Sequence, residues 1–266
     1  MVWGGVLDVP SDDFIYRHMY FHGTYEPLET LVVKALAARG SVWLDAGANI
    51  GVYSVLIGLS VGPTGRVYAF EPNPECARLI RHNSELNGLT NVTVIEAALT
   101  DRMCRSTLWV PTDAHTDGGR LGRASLLHHR DTIDREIGVD ILGISFDEWL
   151  SIYGQPPPEY VKIDIEGAEL FAFRGMSQYL KTSPPKALLC ELNQRPDCVA
   201  RPKELVDYLA QFGYIPLLLR PSGLVRLVER ANLHAIEDMN ALFVHEDSYG
   251  LTDRVNDAMA SAQSET

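Results

Sequence analysis

The strongest constraint on this chain is a turn. Residues 42–46 are a short apolar run suited to a buried strand, and they lead into Asp45-Ala-Gly47-Ala-Asn49-Ile-Gly51. Residues 52–59 are then apolar enough for a helix, which Gly62-Pro-Thr-Gly65 breaks. A second strand at 67–70 ends in Glu71-Pro72. Pro74 opens a helix where the first turn tolerates a missing N–H, and Asn87-Gly88 stops it before a third strand at 92–95. This alternation predicts a parallel sheet with right-handed crossovers. Ligands in such sheets sit at the carboxyl ends of the strands, where the 45–51 turn lies.

The flanks extend the pattern. Residues 27–39 carry apolar positions at helical spacing, with Gly40 as the stop. Strand-like runs at 107–110 and 137–145 bracket a polar, glycine-rich loop, and a short helix is expected near 146–153. Pro156-Pro157-Pro158 is a stiff connector that neither a helix nor a central strand accepts. A strand at 160–163, a helix at 168–180, a strand at 187–192 and a helix at 203–213 follow. Arg220-Pro-Ser-Gly223 reads as a hairpin turn, and residues 241–245 close the pattern. The expected organisation is a cap over residues 1–40, a core domain over 41–250 with substrate loops at 111–135 and 195–204, and a flexible polar tail over 251–266.

Charge narrows the partners. The net charge is −12 over 266 residues with no compensating basic patch, so the expected partner is not nucleic acid. No apolar stretch approaches a membrane span, so no membrane is expected either. Met1 to Pro10 lacks the features of a signal peptide, and Cys76, Cys104, Cys190 and Cys198 form no C-x-x-C pair. These features predict free thiols and a cytoplasmic location. The oligomeric state is left open; a homodimer is compatible.

The turn itself excludes two common ligand loops. A dinucleotide fingerprint starting at Gly47 needs glycines where Asn49 and Val52 stand, and no Gly-Lys-Ser/Thr marks a phosphate loop. An acid leading the turn, Asp45, suits a cationic ligand group. Glu71, at the end of the second strand, can accept hydrogen bonds from ribose hydroxyls. An adenosine that carries positive charge satisfies both, and S-adenosylmethionine is such a molecule. The bland reading, a tight turn beside a surface acid, is disfavoured because the two features occur together.

Three segments carry a family resemblance: Val42-Trp-Leu-Asp-Ala-Gly-Ala-Asn-Ile-Gly51, Phe70-Glu-Pro-Asn-Pro74 and Val161-Lys-Ile-Asp-Ile-Glu-Gly-Ala-Glu169. Together with Tyr25-Glu26, Glu96-Ala-Ala-Leu-Thr-Asp101 and Ile144-Ser-Phe-Asp-Glu-Trp-Leu150, they resemble the FkbM family of S-adenosylmethionine-dependent methyltransferases over about residues 20–195. The resemblance implies the α/β class I methyltransferase fold, a Rossmann-like, doubly wound, mostly parallel seven-stranded sheet. A C-terminal antiparallel hairpin would bring in the reversed strand. It implies that Tyr25, Glu26, Asp45, Gly47, Asn49, Gly51, Glu71, Asn73 and Ala97 bind the cofactor, with Glu71 on the ribose and Ala97 near the adenine.

Lys162, Asp164 and Glu166 form a second constellation, expected to be catalytic. The period of two along a strand puts Lys162 and Asp164 on one side, with Asp164 at the carboxyl edge. Asp164 or Glu166 would take the proton of an alcohol acceptor. Glu169 reads instead as a helix-start acid. Asp164, Glu191 and Asn193 would make an all-oxygen set for Mg2+, although a lone Glu-x-Asn is more commonly a loop anchor. His22, His115, His128, His129 and His234 are further titratable groups with no assigned role. The expected activity is O-methylation of a hydroxyl on a small-molecule natural product, a polyketide or sugar moiety. The alternatives are N-methylation on the same fold and a non-catalytic cofactor-binding partner protein. A NAD-dependent oxidoreductase is weaker, given the missing fingerprint glycine.

Overall fold

The structure is a computed structural model that describes residues 1–11, 14–112, 124–127, 136–192, 198–227 and 239–264. Helices α1 (Phe14–His22) and α2 (Pro27–Leu36) precede β1 (Val42–Ala46), α3 (Val52–Val61), β2 (Arg66–Phe70), α4 (Pro74–Leu86) and β3 (Val92–Ile95). Next come β4 (Ala98–Leu99), β5 (Cys104–Pro111), β6 (Glu136–Ile144), α5 (Phe146–Tyr153), β7 (Tyr160–Ile163), α6 (Glu169–Arg174) and α7 (Ser177–Thr182). The chain continues through β8 (Ala187–Leu192), α8 (Pro202–Ala210), β9 (Tyr214–Arg220), β10 (Gly223–Arg226), β11 (Met239–His245) and α9 (Leu251–Ser264).

The main sheet runs β10-β9-β11-β8-β7-β1-β2-β3. Pairings from β8 through β3 are parallel, and β11 is antiparallel to both β8 and β9. The doubly wound class is as expected; the strand count is eight rather than seven. The 220–223 turn does join a hairpin, β9–β10, but the reversed strand is β11, inserted between β8 and β9. Burial explains the difference. Ala241, Leu242, Phe243 and Val244 are buried on both faces, as a central strand requires, whereas β10 is an edge whose Val225 is exposed.

Helices cover both faces. Trp43, Leu56, Ile57 and Val61 pack with Val32 and Val33 on one side, while Leu44, Phe146, Trp149, Phe173 and Val206 fill the other. Two expectations are corrected here. The tail after Gly250 is helix α9, because Val255 and Met259, four apart, bury against α2 and the sheet. The single helix at 168–180 is broken at Gly175, where a Cβ would lie 2.0 Å from the Thr100 carbonyl oxygen. Asp147 then caps the second piece, accepting from the N–H groups of Gln178 and Tyr179 at 2.8 Å each.

Two additions shape the carboxyl edge. β4, β6 and β5 form a separate small sheet whose Ala98, Leu108, Val110 and Ile141 pack with Leu126. The N-terminal segment is tied along α4: Asp8 N–H donates to Asn83 Oδ1 at 2.7 Å, and Val6 N–H donates to Asn87 Oδ1 at 2.9 Å. This brings Ile15 and Met19 of α1 onto Ile50, Val52 and Leu79.

Candidate active site

A cleft of about 890 Å3, its open mouth included, lies at the carboxyl ends of β1, β2 and β7. The first turn forms its floor. Gly47 (φ 74°) is required there, because a Cβ would come within 1.8 Å of the Asp164 carbonyl oxygen. Gly51 (φ 89°) caps α3 and backs onto Ile80, so its part is to aim the helix and not to line the cleft.

Glu71 is buried at the end of β2, on the cleft wall. Its Oε2 accepts from Asn49 N–H at 2.9 Å and its Oε1 from Asn73 N–H at 2.8 Å. Burial pushes its carboxyl up to about 7, the two N–H donors pull the other way, and Asp45 adds to the rise. Asn73 acts through its backbone on Glu71, while its side chain caps α4 by accepting from Glu75 N–H. Ala97 lines the cleft with Ala98 and Leu99.

Asp45 lies beneath the cleft floor. It is fully buried, its Oδ2 accepts from Ser54 Oγ at 2.6 Å, and its Oδ1 is buried with no hydrogen-bond partner. Burial raises its carboxyl above the usual range. Its register partner on β7 is Lys162, so the two side chains share a face. Lys162 Nζ, nearly inaccessible, donates to Asp164 Oδ2 at 3.1 Å and sits 4.6 Å from the centre of the Tyr53 ring. Burial alone favours the neutral amine, but Asp164, Asp45 and Glu26 outweigh it and hold Lys162 as the ammonium.

Tyr25 lines the cleft, and Glu26 follows it in a left-handed conformation (φ 42°). Glu26 Oε2 accepts from Tyr53 Oη at 2.7 Å. Burial and then Asp164 raise its carboxyl to about 7, against the pull of Lys162. Glu166, also left-handed (φ 56°), lines the cleft, and its carbonyl accepts from Ser125 Oγ at 3.0 Å. Glu169 is the helix-start acid expected of it, accepting from Ile165 N–H at 3.2 Å and Gly167 N–H at 3.0 Å.

The Mg2+ set of Asp164, Glu191 and Asn193 gains no support from the described residues. Among the described residues no group of three or more His, Cys, Asp or Glu side chains is placed to hold a metal ion. Glu191 lines a small pocket with Gly167, Glu169 and Ala200, and Asp164 lines the main cleft instead. Asn193 lies outside the described residues, as do His115, His128, His129, His234, most of the 111–135 loop and residues 195–197. His22 is exposed and packs on His18. Tyr53 and Ile15 line the cleft too, and sequence reasoning missed both. Tyr53 sits inside an apolar helix, where the one available signal was a polar-tipped ring facing the turn.

The described residues include no helix long and apolar enough to cross a membrane. A structure from Clostridium thermocellum, assigned as an rRNA methylase, covers 83% of this chain and 95% of its own with a TM-score of 0.50 at 10% identity, a likeness of fold alone. A Sulfolobus acidocaldarius protein assigned as a cobalt-precorrin-6B C(15)-methyltransferase (decarboxylating) is 39% identical over 92 residues, 34% of this chain and 47% of that one. The hexuronic acid methyltransferase AglP of Haloferax volcanii is 26% identical over 174 residues, 65% of each chain. The matched region thus spans about half to two thirds of these relatives. The Methyltransferase FkbM domain matches residues 45–216, from the Asp45 turn into β9, and the chain therefore belongs to the FkbM methyltransferase family.

Proposed function

We propose that the protein is an S-adenosylmethionine-dependent O-methyltransferase acting on a hydroxyl of a small-molecule natural product, a polyketide or sugar moiety. The carrying observation is the opposition, across one cleft, of the buried Glu71 and the Lys162–Asp164 pair. The donor chemistry fits this cofactor. The turn is acidic and glycine-bearing rather than phosphate-binding, and Asp45 Oδ1 is an orphaned buried acceptor beneath it. After its two backbone contacts, each Glu71 oxygen keeps a lone pair for a ribose hydroxyl. Gly47 and Asn49 would bound the methionine part and Tyr25 would cover it. The apolar wall of Phe70, Ala97, Ala98 and Leu99 would take the adenine.

Bound there, S-adenosylmethionine supplies an electrophilic methyl group on its sulfonium. The chain's own residues then orient the acceptor and take its proton. Asp164, at the cleft and a quarter exposed, is the base, held in place by the Lys162 ammonium; Glu166 is the neighbouring acid. The net charge of −12 favours a small acceptor over a phosphate backbone, and the hexuronic acid methyltransferase relative supports a sugar. The test is calorimetry with S-adenosylmethionine and NAD on wild type and Glu71→Ala. Labelled-methyl transfer to uronic acids, hydroxylated polyketides and RNA then follows, with Asp164→Asn as control. Cofactor binding lost in Glu71→Ala and sugar or polyketide labelling lost in Asp164→Asn are the expected results. A preference for NAD, or labelling of RNA alone, overturns the reading.

A further inference from the structure

Three carboxylates share one cation in this site. Lys162 lies beside Asp45 through strand register, bonds Asp164, and feels Glu26 from the start of α2. Fully ionised, the four groups would carry two net negative charges in a buried setting where Asp45 Oδ1 has no hydrogen-bond partner. Such a cluster is under-neutralised, because burial penalises every uncompensated charge. The groups facing Glu26 are Tyr53 from α3, Glu29 from its own helix, Lys162 from β7 and Asp164 just past the end of that strand. Tyr53 is a donor to Glu26 Oε2, and Glu29 Oε1 is itself held by Asn240 Nδ2 at 3.2 Å. Among these, Lys162 is the sole cation.

We infer that the Glu26, Asp45 and Asp164 carboxylates around Lys162 form a charge selector, favouring the cationic cofactor over its neutral thioether product and exchanging one proton at Glu26 as that positive charge arrives or departs. This rests on the reading of the cleft as an S-adenosylmethionine site. When the sulfonium enters, the protonated Glu26 carboxyl releases its proton to solvent and its carboxylate compensates the new charge. After methyl transfer the sulfonium is a thioether, the positive charge is gone, and Glu26 regains a proton from solvent. The product is then held less tightly than the cofactor it came from. Glu71 also titrates near neutral pH, but it faces the ribose position that both ligands share, so its protons cancel in the comparison.

The experiment is calorimetric binding of S-adenosylmethionine and of S-adenosylhomocysteine at pH 7 in buffers of different ionisation enthalpy, on wild type, Glu26→Gln and Tyr53→Phe. With Glu26 half-protonated near pH 7, the sulfonium should release about half a proton more than the thioether. Glu26→Gln should remove that difference, including what remains after the ligand's own amine is subtracted. It should also cut the preference for the sulfonium roughly fivefold to tenfold. Tyr53→Phe, which keeps the acid and removes its donor, should move the proton release to higher pH. Equal proton release for both ligands in wild type, or an unchanged preference in Glu26→Gln, overturns the inference while leaving cofactor binding intact. If neither ligand binds wild type, the reading of the cleft fails and the selector fails with it.

Discussion

Glu71→Gln should stabilise the ligand-free protein above neutral pH and destabilise it slightly in acid. Glu71 is buried and its carboxyl titrates near 7 in the fold, against 4.5 for a free side chain. Because the folded value is the higher one, the native state holds a proton that the unfolded chain has released. The associated stability is present below pH 4.5 and is lost as pH rises to 7. At 1.36 kcal/mol per unit, the ionised carboxylate costs about 3.3 kcal/mol at pH 8 and about 0.8 kcal/mol at pH 5. Glutamine carries no charge but has one carbonyl oxygen for two N–H donors, Asn49 and Asn73, and loses about 1.3 kcal/mol with the second. The net expectation is a gain of about 2 kcal/mol at pH 8 and a loss of about 0.5 kcal/mol at pH 5. Urea unfolding of wild type and variant at the two pH values measures the swing of about 2.5 kcal/mol directly. A variant less stable than wild type by the same amount at both pH values would show that Glu71 is not a costly buried charge. Cofactor affinity should fall in the same variant, since a ribose acceptor is lost. Stability and binding would then move in opposite directions at one residue.

Other perturbations separate scaffold from site. Gly47→Ala puts a Cβ 1.8 Å from the Asp164 carbonyl oxygen at φ 74°, so loss of folded, soluble protein or a drop of more than about 3 kcal/mol in thermal unfolding is expected. Lys162→Met strands the carboxylates around it; a cost of about 3–5 kcal/mol is expected in urea melts, growing with pH as those acids ionise. Asp147→Ala removes both caps of α7 and should cost about 1–2 kcal/mol while leaving cofactor affinity unchanged by calorimetry. Met259→Ala should cost about 2–4 kcal/mol, because α9 is docked on α2 and is not a frayed tail; unchanged melting would refute the docking.

What could be read in advance was whatever the backbone announces locally. The Asp45 turn, the Glu71 strand end and the Lys162-x-Asp164 alternation each follow from period and punctuation, and all three meet at one sheet edge. The 168–180 helix reads as continuous because its break falls at Gly175, where the close neighbour is Thr100, a residue far away in sequence. Helix α9 was misread because its apolar positions are too sparse to outweigh the polar ones until α2 is there to receive them. Tyr53 is marked in the sequence only by its polar-tipped ring, because its partners Glu26 and Lys162 come from a helix start and a strand that only the fold brings together.

Backbone strain was illegible for a different reason. Glu26, Asn49 and Glu166 are the non-glycine residues with positive φ among those described, and a sequence marks left-handed positions chiefly through glycine. Each such residue costs of order 1 kcal/mol. Asn49 and Glu166 line the cleft and Glu26 follows Tyr25, which does. Each is held by a neighbour from another element: Asn49 by Glu71, Glu26 by Tyr53, Glu166 by Ser125. Glycine at any of the three would relieve the strain, at the cost of a freer unfolded chain and, at Glu26, of the bond from Tyr53. Two of the three carry carboxylates: Glu166 lines the cleft, and Glu26, next to the cleft-lining Tyr25, has Asp164 and Lys162 among its charged neighbours. Left-handed backbone at these two positions therefore fixes where the two carboxylates leave the chain, a placement that right-handed backbone would not give.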